Sequence, residues 1–182
     1  ATAQHDPTRR AQAVVRTTAF PNWQEESPLP VPRSRAGVTA VGSRVYVVGG
    51  EGAGGYLNLV DIYDPAARQW RSGQPKPTRA SNLAIAAIGE RIYVPGGYND
   101  NTLAILEVYD ATTDSWTSRA GMPAPRLGHV TVAVGGRIYV IGGSDGAEVV
   151  NTTWEYNPAT DQWTAKADMP HARAFAAAAV VD

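Results

Sequence analysis

Five arginines stand just ahead of apolar runs: Arg33 and Arg35 before Val38, Arg79 before Leu83, Arg126 before Val130, and Arg173 before Phe175. A guanidinium is a planar fork of donors that is charged at any ordinary pH, so several converging on one surface would grip carboxylates or other anions in bidentate fashion. The competing structural use is that each fork bonds carbonyls of its own or a neighbouring element. His129 lies at the start of the same kind of run as Arg126. Together, Arg33, Arg35, Arg79, Arg126, His129 and Arg173 form the candidate binding set. Glu51 or His129 could serve by position as an acid/base group beside it, but neither has a visible partner in the sequence that would tune its pKa.

Other patterns fail on context. Gly50, Gly52 and Gly55 satisfy G-x-G-x-x-G, but a dinucleotide site needs a helix next, and Leu57 to Tyr63 reads as a strand. Gly142-Gly143-Ser144-Asp145-Gly146 satisfies G-x-S-x-G, but Asp-Gly signals a hairpin turn where a nucleophile elbow needs a helix. His5, His129 and His171 are scattered without metal-ligand spacing, and Asn99-Asp100-Asn101 lacks the oxygen ladder of a calcium loop. With no cysteine, thiol catalysis, disulfides and Cys-based zinc sites are excluded. No catalytic residue, metal or cofactor is expected.

The elements that must position the arginines come from a repeat. Trp23, Trp70, Trp116 and Trp163 are spaced 47, 46 and 47 apart, and each of the first three precedes a glycine pair (49–50, 96–97, 142–143) by 26 residues. Tyr46, Tyr93 and Tyr139 stand three before the first glycine, and Tyr63, Tyr109 and Tyr156 seven before the following Trp. Each unit reads as four short strands. In the third these are 129–134, 137–141, 149–156 and 162–164, with turn residues between them and no helical period over ten residues. The first two strands of a unit are apolar at alternating positions of both faces, as in Val45-Tyr46-Val47-Val48. Such sheets are covered on both sides, as in the blades of a β-propeller.

The glycine pair, the Tyr-Asp-Pro or Tyr-Asn-Pro turn, the Trp seven after that Tyr, and lead-ins such as Pro30-Val31-Pro32-Arg33 and Met122-Pro123-Ala124-Pro125-Arg126 resemble kelch repeats. The resemblance covers Trp23 to Asp182. It departs in the second unit, where Ala80 replaces the arginine, with Arg79 one place early, and Ala111 follows Tyr-Asp in place of proline. It implies an all-β, kelch-type propeller segment with three complete four-stranded blades (about 23–69, 70–115 and 116–162) and a partial blade over 163–182. Residues 1–22 read as a flexible tail with an outer strand near Ala13 to Arg16. One stray strand is expected at each end, within a six- or seven-bladed ring completed by a missing segment or another chain.

The resemblance also implies a non-enzymatic binding or scaffolding module with a protein partner on the loop face, where kelch adaptor arginines commonly meet ligands. The alternative it offers is a sialic-acid mutarotase-like enzyme acting on an anionic sugar. Oxidases of the galactose oxidase type need a Cys crosslinked to Tyr, which this chain lacks. A net charge of −1 argues against nucleic acid as partner, and no apolar run is long enough for a membrane span. The sequence starts without Met and holds no Cys. The compartment is left open, with a secreted or cell-surface form the expectation.

Overall fold

The computed structural model describes residues 23–181; the expected tail and its outer strand over 1–22 lie outside the described residues. Blade 1 consists of β1 (Gly37–Val41), β2 (Arg44–Val48), β5 (Val60–Asp64) and β6 (Gln69–Ser72), with β3 (Glu51–Gly52) and β4 (Gly55–Tyr56) forming a small ribbon in the loop between β2 and β5. Blade 2 is β7 (Ala86–Ile88), β8 (Arg91–Pro95), β9 (Leu106–Asp110) and β10 (Ser115–Arg119). Blade 3 is β11 (Val130–Val134), β12 (Arg137–Ile141), β13 (Thr153–Asn157) and β14 (Gln162–Lys166). Every pairing is antiparallel and joins sequence neighbours, except that β2 pairs with β5 across the β3–β4 ribbon. No helix occurs among the described residues.

The sheets are offset from the Trp-to-Trp period. Trp70, Trp116 and Trp163 each lie in the fourth strand of the blade that precedes them, because each Trp pairs with the Tyr of its own third strand: Tyr63↔Trp70, Tyr109↔Trp116 and Tyr156↔Trp163. Blades therefore span Gly37–Ser72, Ala86–Arg119 and Val130–Lys166, and Trp163 completes blade 3 instead of opening a partial fourth. At the far end, where one stray strand is expected, Ala174 to Val181 pairs into no sheet. A strand exists only through a ladder to a neighbour, and here the chain is tied back by one bond, Phe175 N–H to the Gly128 carbonyl at 2.7 Å.

The repeated residues make repeated bonds. Tyr109 donates to Asp114 (2.5 Å) and Tyr156 to Asp161 (2.6 Å), and those carboxylates accept from Gln74 N–H and Ala120 N–H. The indoles donate across to the same connecting segments, Trp116 to Gln74 O and Trp163 to Ala120 O, each at 2.8 Å. A tyrosine, a tryptophan and an acid thus fasten blades 2 and 3 to the chain leaving the previous blade. Tyrosine rings of successive blades also meet, Tyr46 with Tyr109 and Tyr93 with Tyr156, both at 6.0 Å. The glycine pairs permit the closest approach. Gly96 has φ +61°, and a Cβ there would fall 2.4 Å from the Arg126 carbonyl, so only glycine fits.

Candidate functional site

The lead-ins and the loops after the glycine pairs lie on one face of the blades, since both join strand ends of the same side. They are stitched together alike in each blade: Ser34 bridges Glu51, Ser81 bridges Tyr98, and Leu127 bridges Ser144. The second glycine of each pair donates to the carbonyl at the equivalent lead-in position one blade on, Gly50 to Ala80, Gly97 to Arg126 and Gly143 to Arg173, at 2.8–2.9 Å. The backbone of this face is therefore fixed by hydrogen bonds, and what varies is the side chains it presents.

On this frame the candidate arginines divide into two groups. Arg33 turns inward. Its side chain is wholly buried and pairs with Asp61 of β5, itself 5% exposed. Arg126 also turns inward: it is 3% exposed, stacks 4.2 Å over the Trp154 ring of β13, and donates to Thr152 Oγ1 and Pro125 O at 2.7 Å. Trp154 occupies in blade 3 the place of Asp61 in blade 1 and Glu107 in blade 2, the second residue of the third strand. Blade 2 has Ala80 at the arginine position, and the buried cation there is Lys76. Its Nζ sits 2.5 Å from Glu107, and Thr78 donates to the other carboxylate oxygen at 2.8 Å. Burial holds the Lys76 ammonium below its usual pKa, and the Glu107 charge opposes that shift. Each blade thus buries one lead-in cation over its third strand.

Arg35, Arg79 and Arg173 are exposed. Arg35 has φ +57°, as do its counterparts within a few degrees (Asn82 +53°, Gly128 +57°, Phe175 +55°), so this left-handed step belongs to the repeat and not to the residue type. Its guanidinium meets Glu51 at 2.8 Å, with 57% and 34% of the two side chains exposed. Next to this pair Tyr56 and Tyr98 pack edge to face at 5.8 Å. Burial raises the Tyr56 pKa, and its hydroxyl lies beside Asp100.

A match to the KLHDC2/KLHL20/DRC7 Kelch-repeats domain covers residues 13–120 and again 73–182. The chain belongs to the kelch-repeat family. Among solved structures, one described as "Structure of YjhT" has a TM-score of 0.70 at 19% identity, covering 81% of this chain and 56% of that one. At that identity the likeness is one of fold, and the chain spans a little over half of that neighbour. No curated protein matches the chain. The kelch fold supports a binding or scaffold module, and no helix among the described residues is long and apolar enough to cross a membrane.

Within the kelch blades, the expected guanidinium ring is not a single set. Arg33 and Arg126 are interior, each two residues ahead of the left-handed step and packed over the third strand of its blade. His129 is interior as well, at 4% exposure, standing where Ala36 and Leu83 stand in the other blades. Burial and then the nearby Arg126 charge push its pKa down to about 4, so it is neutral at ordinary pH, and it is walled off by Gly96 and Gly143. Glu51 is held by Arg35. The two positions considered for acid/base work are thus one enclosed and one ion-paired. Among the described residues no cluster of three His, Asp or Glu could hold a metal. Lys76, Asp61, Glu107 and Trp154 were missed from sequence. The available signal was the coincidence of Ala80, where arginine is usual, with Lys76 four residues earlier, where the other units have Leu29 and Met122.

Proposed function

We propose that this chain is a non-enzymatic binding or scaffolding module that recognises a protein partner through the face carrying the lead-ins and the loops after the glycine pairs. One observation carries the reading: the three blades share the same hydrogen-bonded loop frame, yet place Glu51, Tyr98 and Ser144 at its equivalent positions. A fixed frame with varied side chains is the usual construction of a recognition surface. Arg35, Arg79 and Arg173, with the Tyr56–Tyr98 pair, supply guanidinium and aromatic groups of the kind that dominate protein interfaces.

Continuation of the ring belongs to the same proposal. Val38 on the free side of blade 1 is 58% exposed, whereas its counterpart Ile85, which faces blade 1, is 8% exposed. A further segment or chain over that side would restore the symmetry, and sedimentation of the chain alone as a well-folded monomer would count against it.

The test of the binding reading is affinity capture from the source, with wild-type chain beside Arg35→Ala, Arg79→Ala and Arg173→Ala. Loss of one specific protein in the triple variant, with an unchanged melt, is the expected result. Retention of every captured protein would overturn the reading.

A further inference from the structure

Away from the loop face, the cleft between blades 2 and 3 differs from the same cleft between blades 1 and 2. Successive rungs of blade 1 facing blade 2 carry Arg44–Asp64–Gln69, then Tyr46–Ile62–Arg71. The matching rungs of blade 2 facing blade 3 carry Arg91–Asp110–Ser115, then Tyr93–Val108–Thr117. Three side chains are shorter in the second case: Ser115 for Gln69, Val108 for Ile62 and Thr117 for Arg71. The arginine lost at Thr117 reappears one rung on, as Arg119 in place of Gly73. The tyrosines behind are spaced identically, so the blades have not closed over the difference. What results is an inner space of about 80 Å³, lined by these residues, opening onto a groove of about 570 Å³ bounded by the hairpins of both blades.

The lining is rich in donors. Arg91 Nε is 3.6 Å from Asp110, longer than a hydrogen bond, and its side chain is 56% exposed, so most of its donors are uncommitted to that carboxylate. Arg91, Arg119 and Tyr93 all line the inner space, so both guanidinium groups border the same cavity as the Tyr93 side chain. Asp110 is the anionic group of the inner space and also borders the wider groove, where Arg137 and Glu90 stand on the rim.

We propose that this cleft is a binding site for a small oxyanion, a phosphate or carboxylate group, gripped by Arg91 and Arg119 with the hydroxyls of Tyr93, Ser115 and Thr117 as further donors. The inner space suits one such group, and the two guanidinium forks that line it offer donors for its oxygens. The groove outside leaves room for the remainder of a larger ligand. The site is separate from the loop face, so it stands or falls independently of the partner proposed there.

The test is a titration of the chain with inorganic phosphate and, separately, acetate at constant ionic strength, followed by amide shifts. Saturating shifts confined to the surroundings of Arg91, Tyr93 and Arg119 are expected, and tighter binding of one anion identifies the phosphoryl or the carboxylate source. Grafting blade 1 onto this face (Val108→Ile, Ser115→Gln, Thr117→Arg, Arg119→Gly) moves an arginine by one rung at unchanged net charge and should weaken binding by at least about tenfold. Arg119→Gln, at an exposed position, should do the same without disturbing the melt and serves if the graft folds poorly. No saturation with either anion, or saturation unaffected by Arg119→Gln, would overturn the proposal.

Discussion

Arg33 and Arg35 sit two residues apart on one lead-in and have opposite fates. Arg33 is sealed in blade 1 against Asp61, whereas Arg35 stands on the surface with a half-open partner, Glu51. The difference lies in the backbone: the left-handed step at Arg35 throws its side chain outward, and the same step recurs at Asn82, Gly128 and Phe175. Arginine recurrence in a repeat therefore marks a scaffold position as readily as a binding one. The buried position also tolerates different chemistry, since its cation is arginine over carboxylate in blade 1, lysine over carboxylate in blade 2, and arginine over indole in blade 3. The invariant is one desolvated cation with a matched partner, not a residue type.

The strongest way to break that comparison is in blade 2. Lys76→Met leaves Glu107 buried without its cation and should cost about 3–5 kcal/mol in a denaturant melt. Adding Ala80→Arg reproduces the arrangement of blade 3, with Met at the earlier position and Arg at the later one, and should recover most of the loss. Failure of the double variant to exceed the single one would show that the two lead-in positions do not serve one cation site.

His129 gives a pH-dependent probe of the interior. Its folded pKa of about 4 lies below the ordinary 6.5, so the unfolded chain takes up a proton between those values that the folded chain does not. Its contribution is complete above pH 6.5 and is lost as pH falls to 4, amounting to about 3 kcal/mol over that window. His129→Leu, which installs the residue found at the matching position 83, should flatten that part of the stability–pH curve.

A smaller effect is expected at Arg126→Met. It removes the cation from the Trp154 ring and two hydrogen bonds but strands no carboxylate, so the loss should be about 2 kcal/mol. The least change belongs to Arg79→Ala and Arg173→Ala, exposed substitutions whose unfolding free energies should stay within about 0.5 kcal/mol of wild type.

The fold was legible because its repeat is written in residues with fixed structural jobs. The glycine pairs need positive φ and close approach, the Tyr and Trp pair across the last two strands, and Asp64 and Asp110 accept from the backbone N–H groups of the turns that follow them. The blade limits were less legible, since a period does not say where a sheet begins. Ala174 to Val181 carries the apolar pattern of a strand, but a pattern does not supply the neighbour that a ladder requires. The site was half legible: recurrence found the arginines, but the partner beneath them changes from Asp61 to Glu107 to Trp154 and so leaves no repeated signature. His129 followed the same logic, with a polar residue at a position that is apolar in the other blades giving no hint that it would be enclosed.

The division between scaffold and surface is tested most directly by equilibrium denaturation of Arg33→Ala beside Arg35→Ala. Arg33→Ala leaves Asp61 buried and unpaired and should lose about 3–5 kcal/mol, whereas Arg35→Ala breaks an exposed pair worth at most about 1 kcal/mol. Equal losses in the two variants, or a larger loss at Arg35, would contradict the account.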